Sequence, residues 1–239
     1  TLYMFKASIN INIIFFIFIL KIILALYFPL INDESYTISV SKSMSLSFFD
    51  HPPVTFWLPL FINEVFETNS IFIYRFPFLL IGLATTLMVY LLGMEIGGNE
   101  IGVGSALLYN IAPFFFFSGG ILIVPDGPLN LGIVTTAYCI IKLHKVNLNQ
   151  HGYFFLLLGL ALCLCFASKY QGYLIGLGCL IVLWFSNKRN RFIKNPFFYL
   201  SILLALTGII PTIVWNIQND WISLNFHTSR QDFSIQLEN

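Results

Sequence analysis

The chain has 239 residues, 57% of them hydrophobic and only 10% charged, with a net charge of +1. A soluble domain carries about 25% charged residues, so this composition excludes an ordinary soluble globule. The near-neutral balance gives no electrostatic reason to bind nucleic acid. The pattern is that of a polytopic membrane protein whose polar residues are few enough to be read individually.

Seven apolar stretches predict membrane helices at about 8–31, 71–94, 101–119, 125–143, 153–169, 171–186 and 197–216. Each is bounded by Gly, Pro, Asn or charged residues. Several fall short of the ~20 residues that span a hydrocarbon core, which brings residues at their ends close to membrane depth. The expected fold is all-α, a transmembrane bundle of about seven helices. No small-residue cleavage site follows the first stretch, which reads as a retained anchor. Cys139, Cys163, Cys165 and Cys179 all lie within apolar segments without a CxxC spacing and read as packing residues. Lys21, midway along the first segment, has no partner evident in the sequence.

Basic residues orient the chain. With the N-terminus in the cytoplasm, the inner side holds Lys6, Lys142, Lys145, Lys188, Arg189, Arg191 and Lys194, while Lys42, Arg75, Lys169 and Arg230 lie outside. The run from Lys188 to Lys194 resists translocation, so the positive-inside rule favours this topology in the cell's inner (plasma) membrane. Of the acids, only Glu95 and Glu100 fall inside.

The long loop at about 32–70 is then external. Residues 36–48 alternate apolar and polar, a strand pattern by period alone, but a lone strand at a membrane leaves its backbone unpaired. Tyr36, Val40, Met44 and Phe48 also form an i, i+4 ridge, so the loop is expected to carry interfacial helices.

Every remaining polar cluster maps to the same side. Asp33 and Glu34 at the outer end of the first helix are either a solvated pair or a general base, which needs a carboxylate within reach of an acceptor hydroxyl. In Asp50-His51-Pro52-Pro53, two prolines fix the backbone and remove two donors, holding the acid and imidazole in a defined geometry. Asp50 and His51 supply two ligands towards a divalent metal ion; alternatively His51 donates to a phosphate. Asp126 is either a helix N-cap or a site acid. Arg75 and Lys169 either snorkel to headgroups or hold a lipid-linked phosphate.

In order along the chain stand Asp33-Glu-Ser-Tyr36, Phe49-Asp-His-Pro-Pro-Val54, Arg75-Phe-Pro77, Pro125-Asp-Gly-Pro128, Ser168-Lys-Tyr170, and Pro211-Thr-Ile-Val-Trp-Asn216 with Trp221. This ordered set resembles the polyprenyl-phosphate-dependent membrane glycosyltransferases of the GT-C class. It is most similar to the bacterial relatives of dolichyl-phosphate-mannose protein mannosyltransferases and of lipid A aminoarabinose transferases. The resemblance implies a catalytic carboxylate at Asp33, beside Glu34, with Asp126 at the same cavity. It also implies a polyprenyl-phosphate-linked sugar donor whose phosphate is met by Tyr36, His51, Arg75 and Lys169, and a lipid, glycan or protein acceptor. In the aminoarabinose transferases the segment matching Asp50-His51 reads Glu-Lys and contributes a metal ligand and a phosphate contact, whereas this chain has Asp-His, as other branches of the family do. The family continues into further helices and a soluble outer domain, so the chain reads as the N-terminal part of one such transmembrane domain.

Three functions follow. The first is a glycosyltransferase acting at the outer face, with no nucleotide-sugar site because no Gly-rich phosphate loop appears. The second is a lipid-linked-sugar transporter or flippase, for which internal repeats and midplane ionisable residues are the mark. The third is a non-catalytic membrane assembly subunit, in which the polar set is only helix-end chemistry.

Overall fold

Proline and glycine punctuate this chain into helices of unequal length. A computed structural model describes residues 2–229, with side chains described for 12–148 and 151–228; Arg230 lies outside the described residues. In chain order the helices are α1 (Leu2–Tyr27), α2 (Asn32–Ser41), α3 (Val54–Phe66), α4 (Ile71–Gly97), α5 (Asn99–Ile111), α6 (Pro113–Ser118) and α7 (Asp126–Lys145). There follow α8 (Leu148–His151), α9 (Tyr153–Ser168), α10 (Gly172–Trp184), α11 (Arg189–Ile193), α12 (Pro196–Thr207), α13 (Ile210–Gln218) and α14 (Ile222–Ser229). No strand occurs among the described residues. The protein is an all-α membrane protein.

Each of the seven apolar segments is helical. Among the described residues, two helical stretches are long and apolar enough to cross a membrane: α4, and residues Pro196–Gln218 of α12 and α13. A third is added if α1 and α2, bent by 72° at their junction, form one span. The others are short or interrupted. Pro113 has no N–H to continue α5, so the expected 101–119 segment breaks at Ala112 and restarts as α6. Exposed leucines, phenylalanines and isoleucines cover the outer faces of α10 and α12, as lipid contact requires.

The 32–70 loop is only partly helical. α2 takes the Tyr36 and Val40 half of the predicted ridge and ends at Ser41, whose hydroxyl donates to the Ile38 carbonyl. Met44 and Phe48 fall outside it, and Phe48 instead stacks on Phe56 of α3 at 4.1 Å.

Packing pairs α7 with α9, α4 with α5, α9 with α12 and α4 with α7. Small residues permit the closest approaches, as is usual between membrane helices. A Cβ on Gly132 of α7 would lie 2.5 Å from Cys165 Sγ and 2.9 Å from the Ala161 carbonyl of α9. Cys139, Cys165 and Cys179 are buried and all four cysteines are unbridged. Lys21 is also buried, its Nζ donating to Asn110 Oδ1 at 2.9 Å while the Asn110 amide bonds Thr86.

Because α7 and α9 are antiparallel, the bundle has two chemically distinct ends. One collects α2, the start of α7, the end of α9 and α14. The other collects Glu95 at the end of α4, Lys142 and Lys145 at the end of α7, and Lys188 beside the His144 carbonyl. The 20 residues of α7 separate these ends by about 30 Å.

Candidate functional site

Asp126 is the first residue of α7, where a carboxylate is favoured by the helix dipole. It is not the N-cap; that position is Pro125. Lys169 is the C-cap of α9, in extended conformation. The hairpin brings the two together across 43 residues of sequence, with Lys169 Nζ 2.9 Å from Asp126 Oδ1 and both side chains partly exposed. An ammonium has three donors, and no other partner for Lys169 Nζ occurs among the described residues.

The Asp50-His51-Pro52-Pro53 turn faces this pair. Both prolines are buried, and Pro53 leads into α3. The turn closes on itself where the Phe48 N–H donates to the His51 carbonyl at 3.3 Å, and Trp57 Nε1 braces it by donating to the Ser45 carbonyl at 2.8 Å. Tyr36 of α2 donates its hydroxyl to Asp50 Oδ1 at 3.0 Å. His51 Nδ1 is buried with no hydrogen-bond partner, as is Thr55 Oγ1 one turn further along. Burial holds the His51 imidazole below the usual histidine value. Lys169 and His227 push the same way, while Asp50 and Asp126 oppose. The ring is therefore neutral at neutral pH.

α14 covers the turn. The Asn216 side-chain oxygen accepts from the Leu224 N–H at 3.4 Å, while Asp220 and Trp221 take left-handed backbone conformations that reverse the chain. His227 then donates Nε2 to the Asp50 carbonyl at 2.8 Å, packs its ring at a tilt against Tyr170 with centroids 4.6 Å apart, and lies 6.4 Å from the His51 ring. The Tyr170 hydroxyl meets Ser223. His227, Thr55 and Ser223 are site residues that sequence spacing missed. Some 177 residues separate His227 from Asp50, and the only hint was the Asn216…Trp221 text that turns the chain.

The two acids at the start of α2 have different surroundings. Glu34 is fully buried and accepts from Arg75 Nε at 2.8 Å, Arg75 Nη2 at 2.6 Å, the Ile31 N–H at 3.3 Å and the Ile123 N–H at 3.1 Å. Arg75 spends its remaining donors on the carbonyls of Ala25, Phe28 and Pro29. All five of its N–H groups are thus occupied, and neither Glu34 nor Arg75 presents a group to a substrate. Asp33, one residue earlier, is exposed, and its carboxylate makes no hydrogen bond or ion pair among the described residues. The Glu34–Ile123 bond anchors this first turn to the 121–125 loop, and Ile123 stands at most about 11 Å along the chain from Asp126.

The metal reading of Asp50 and His51 lacks a third ligand: among the described residues no three His, Cys, Asp or Glu side chains form a metal-binding group. Asp50 is engaged by Tyr36 instead. The donor set does not fit a metal.

What gathers at this end is a partly exposed acid–lysine pair, an unpartnered buried imidazole, a second histidine and a free carboxylate nearby, at one rim of a membrane helix bundle. No curated protein and no solved structure matches the chain. A family match does cover residues 50–215, from the Asp50 turn to the segment before Asn216. The chain belongs to the dolichyl-phosphate-mannose-protein mannosyltransferase family, and is thus a mannosyltransferase-like membrane glycosyltransferase.

Proposed function

We propose that the chain transfers a sugar from a polyprenyl phosphate to a lipid, glycan or protein acceptor at the outer face of the membrane. His51 Nδ1 carries this reading. A buried polar atom left unpaired costs about 1–3 kcal/mol, and the partner assigned to Nδ1 is the donor phosphate, with Lys169 and His227, as well as Asp50 and Asp126, among the charged neighbours of the ring. Lys169 adds two uncommitted N–H groups held in place by Asp126. The orientation is supported by the collection of Lys142, Lys145, Lys188, Arg191 and Lys194 at the opposite end.

In the reaction, the bond between the sugar's anomeric carbon and the phosphate oxygen breaks, and a bond from that carbon to the acceptor oxygen forms. The polyprenyl phosphate leaves with the electron pair, its charge met by His51 and Lys169. The acceptor's proton passes to Asp33, the free carboxylate, a role that typically contributes ~10²–10⁴-fold in rate. Asp126 orients Lys169. Glu34 and Arg75 hold the frame, a positioning role rather than direct contact with the donor.

Transfer assays on the purified protein with polyprenyl-phosphate mannose test this. Asp33→Asn abolishes transfer while the protein remains folded, and Glu67→Gln, at the exposed end of α3, leaves it nearly unchanged. Equal loss at both positions would show that the loop, rather than the carboxylate, matters.

A further inference from the structure

The end of the bundle remote from Asp126 holds a charged cavity. Its volume is about 660 Å³, and its walls are the α7–α8 turn, α11 and the start of α12. Lys145, Lys188, Arg191 and Lys194 line it, with no carboxylate among the lining residues. Lys145 is tied to Glu95, and Lys188 donates to the His144 carbonyl. Arg191 and Lys194 form no ion pair among the described residues.

These cations sit on fixed walls. Phe192, between Arg191 and Lys194, is buried with its ring edge-on to Phe155 at 5.8 Å and to His144 at 5.3 Å, so α11 is pinned to α7 and α9. Asn195 joins the other two walls, donating to the Leu148 carbonyl at 3.3 Å while accepting from the Phe197 N–H at 2.9 Å as the N-cap of α12. The N-terminal end of that helix therefore opens on the cavity and adds its own positive potential.

The other side of α11 is apolar. A groove of about 190 Å³ runs there between Leu180, Leu183, Trp184, Ile193 and Phe198. It continues past Leu180, Leu183 and Phe198 into a second groove of about 180 Å³ between α9, α10 and α12. Arg189 lies over the Trp184 ring at 4.7 Å, marking the interface between polar and apolar surface. Cationic cavity and apolar groove are thus separated by one five-residue helix, roughly 10 Å across.

The geometry points to a structural phospholipid site: the cavity binds the phosphate of an anionic lipid from the leaflet at this end, and the groove takes an acyl chain. The ligand chemistry is a phosphodiester with net negative charge. A free phosphate would use the cavity, but it would leave the adjoining groove without a role. Basic pockets between membrane helices bind such headgroups generally. The assignment is independent of the reading of the Asp126 end.

Native mass spectrometry of the detergent-purified full chain, offered phosphatidylglycerol and phosphatidylcholine in equal amounts, tests it. The expected result is selective retention of phosphatidylglycerol, with the preference falling at least tenfold in Arg191→Gln/Lys194→Gln and unchanged in Lys42→Gln, an exposed cation at the other end. Equal retention of the two lipids by the unaltered protein would overturn the site, whatever the variants do. So would an undiminished preference in a double variant that unfolds at the wild-type midpoint in phosphatidylcholine. Displacement of phosphatidylglycerol by inorganic phosphate at equal concentration would overturn the lipid and leave a free-anion site.

Discussion

Glu34 and Arg75 meet at two points, 2.8 Å between Oε1 and Nε and 2.6 Å between Oε2 and Nη2, with both side chains wholly shielded from solvent. The pair stitches α2 to α4, and the Ile123 N–H bonded to the same carboxylate brings in the loop before α7. Every atom capable of recognising a donor is consumed internally. A motif residue can thus matter through the frame it holds.

Removing one partner of such a pair is therefore expected to cost about 3–5 kcal/mol, because a buried charge is left uncompensated. Glu34→Gln and Arg75→Met should each lower the unfolding midpoint sharply, and Arg75→Lys should fail almost as badly, since three donors cannot replace five in a planar fork. Unfolding curves in detergent check this. Wild-type stability in Arg75→Lys would show that the fork geometry is irrelevant.

Acid should act on the protein through His51. Its folded value lies below the unfolded ~6.5, so as pH falls the unfolded chain takes up the proton first. Stability from this group is then full above about pH 6.5 and declines as pH falls through that value towards the folded one. The groups facing the ring are Asp50, Asp126, Lys169 and His227. Between about pH 7.5 and 5.5 the wild-type unfolding midpoint should drop more steeply than that of His51→Gln. Parallel slopes would remove His51 from the account.

Gly132 makes the Asp126–Lys169 alignment testable from a distance. A Cβ there collides with Cys165 and Ala161, and overpacking of this kind typically costs about 1–3 kcal/mol. Gly132→Val should push α7 from α9 and reduce transfer by tenfold or more with the protein still inserted. Gly104→Ala, which meets nothing within 4 Å, should be silent. Full activity in Gly132→Val would show that the spacing of these two helices does not set the site.

Periodicity and length made the seven apolar segments legible as helical, because Gly and Pro mark most of their ends and burial in lipid needs no partner to be specified. The apolar helix α3, in contrast, was legible only as part of a loop carrying interfacial helices. The break at Pro113 was written in the sequence but read as continuous, since the flanking residues are apolar on both sides. The Tyr36–Phe48 ridge was half right: helical spacing cannot show that Phe48 finds Phe56 a better contact than the membrane. Asp126 and Lys169 were legible as charges in the wrong solvent. Asp33 and Glu34 were not separable, because their difference lies in which way one helical turn faces Arg75, 41 residues on. His227 was invisible for the same reason: only the reversal at Asp220 and Trp221 returns it to the Asp50 turn.

The Lys21–Asn110 bond has a consequence for how the chain is made. The lysine emerges from the ribosome 89 residues before its amide partner, on the order of ten seconds at ordinary elongation rates. A lone lysine at the centre of a helix disfavours insertion by about 2.5–3.5 kcal/mol on translocon scales. The many Ile, Leu and Phe residues of α1 offset that cost, and the ammonium gains its amide partner only when α5 delivers Asn110. One polar contact thus links two helices that synthesis delivers apart.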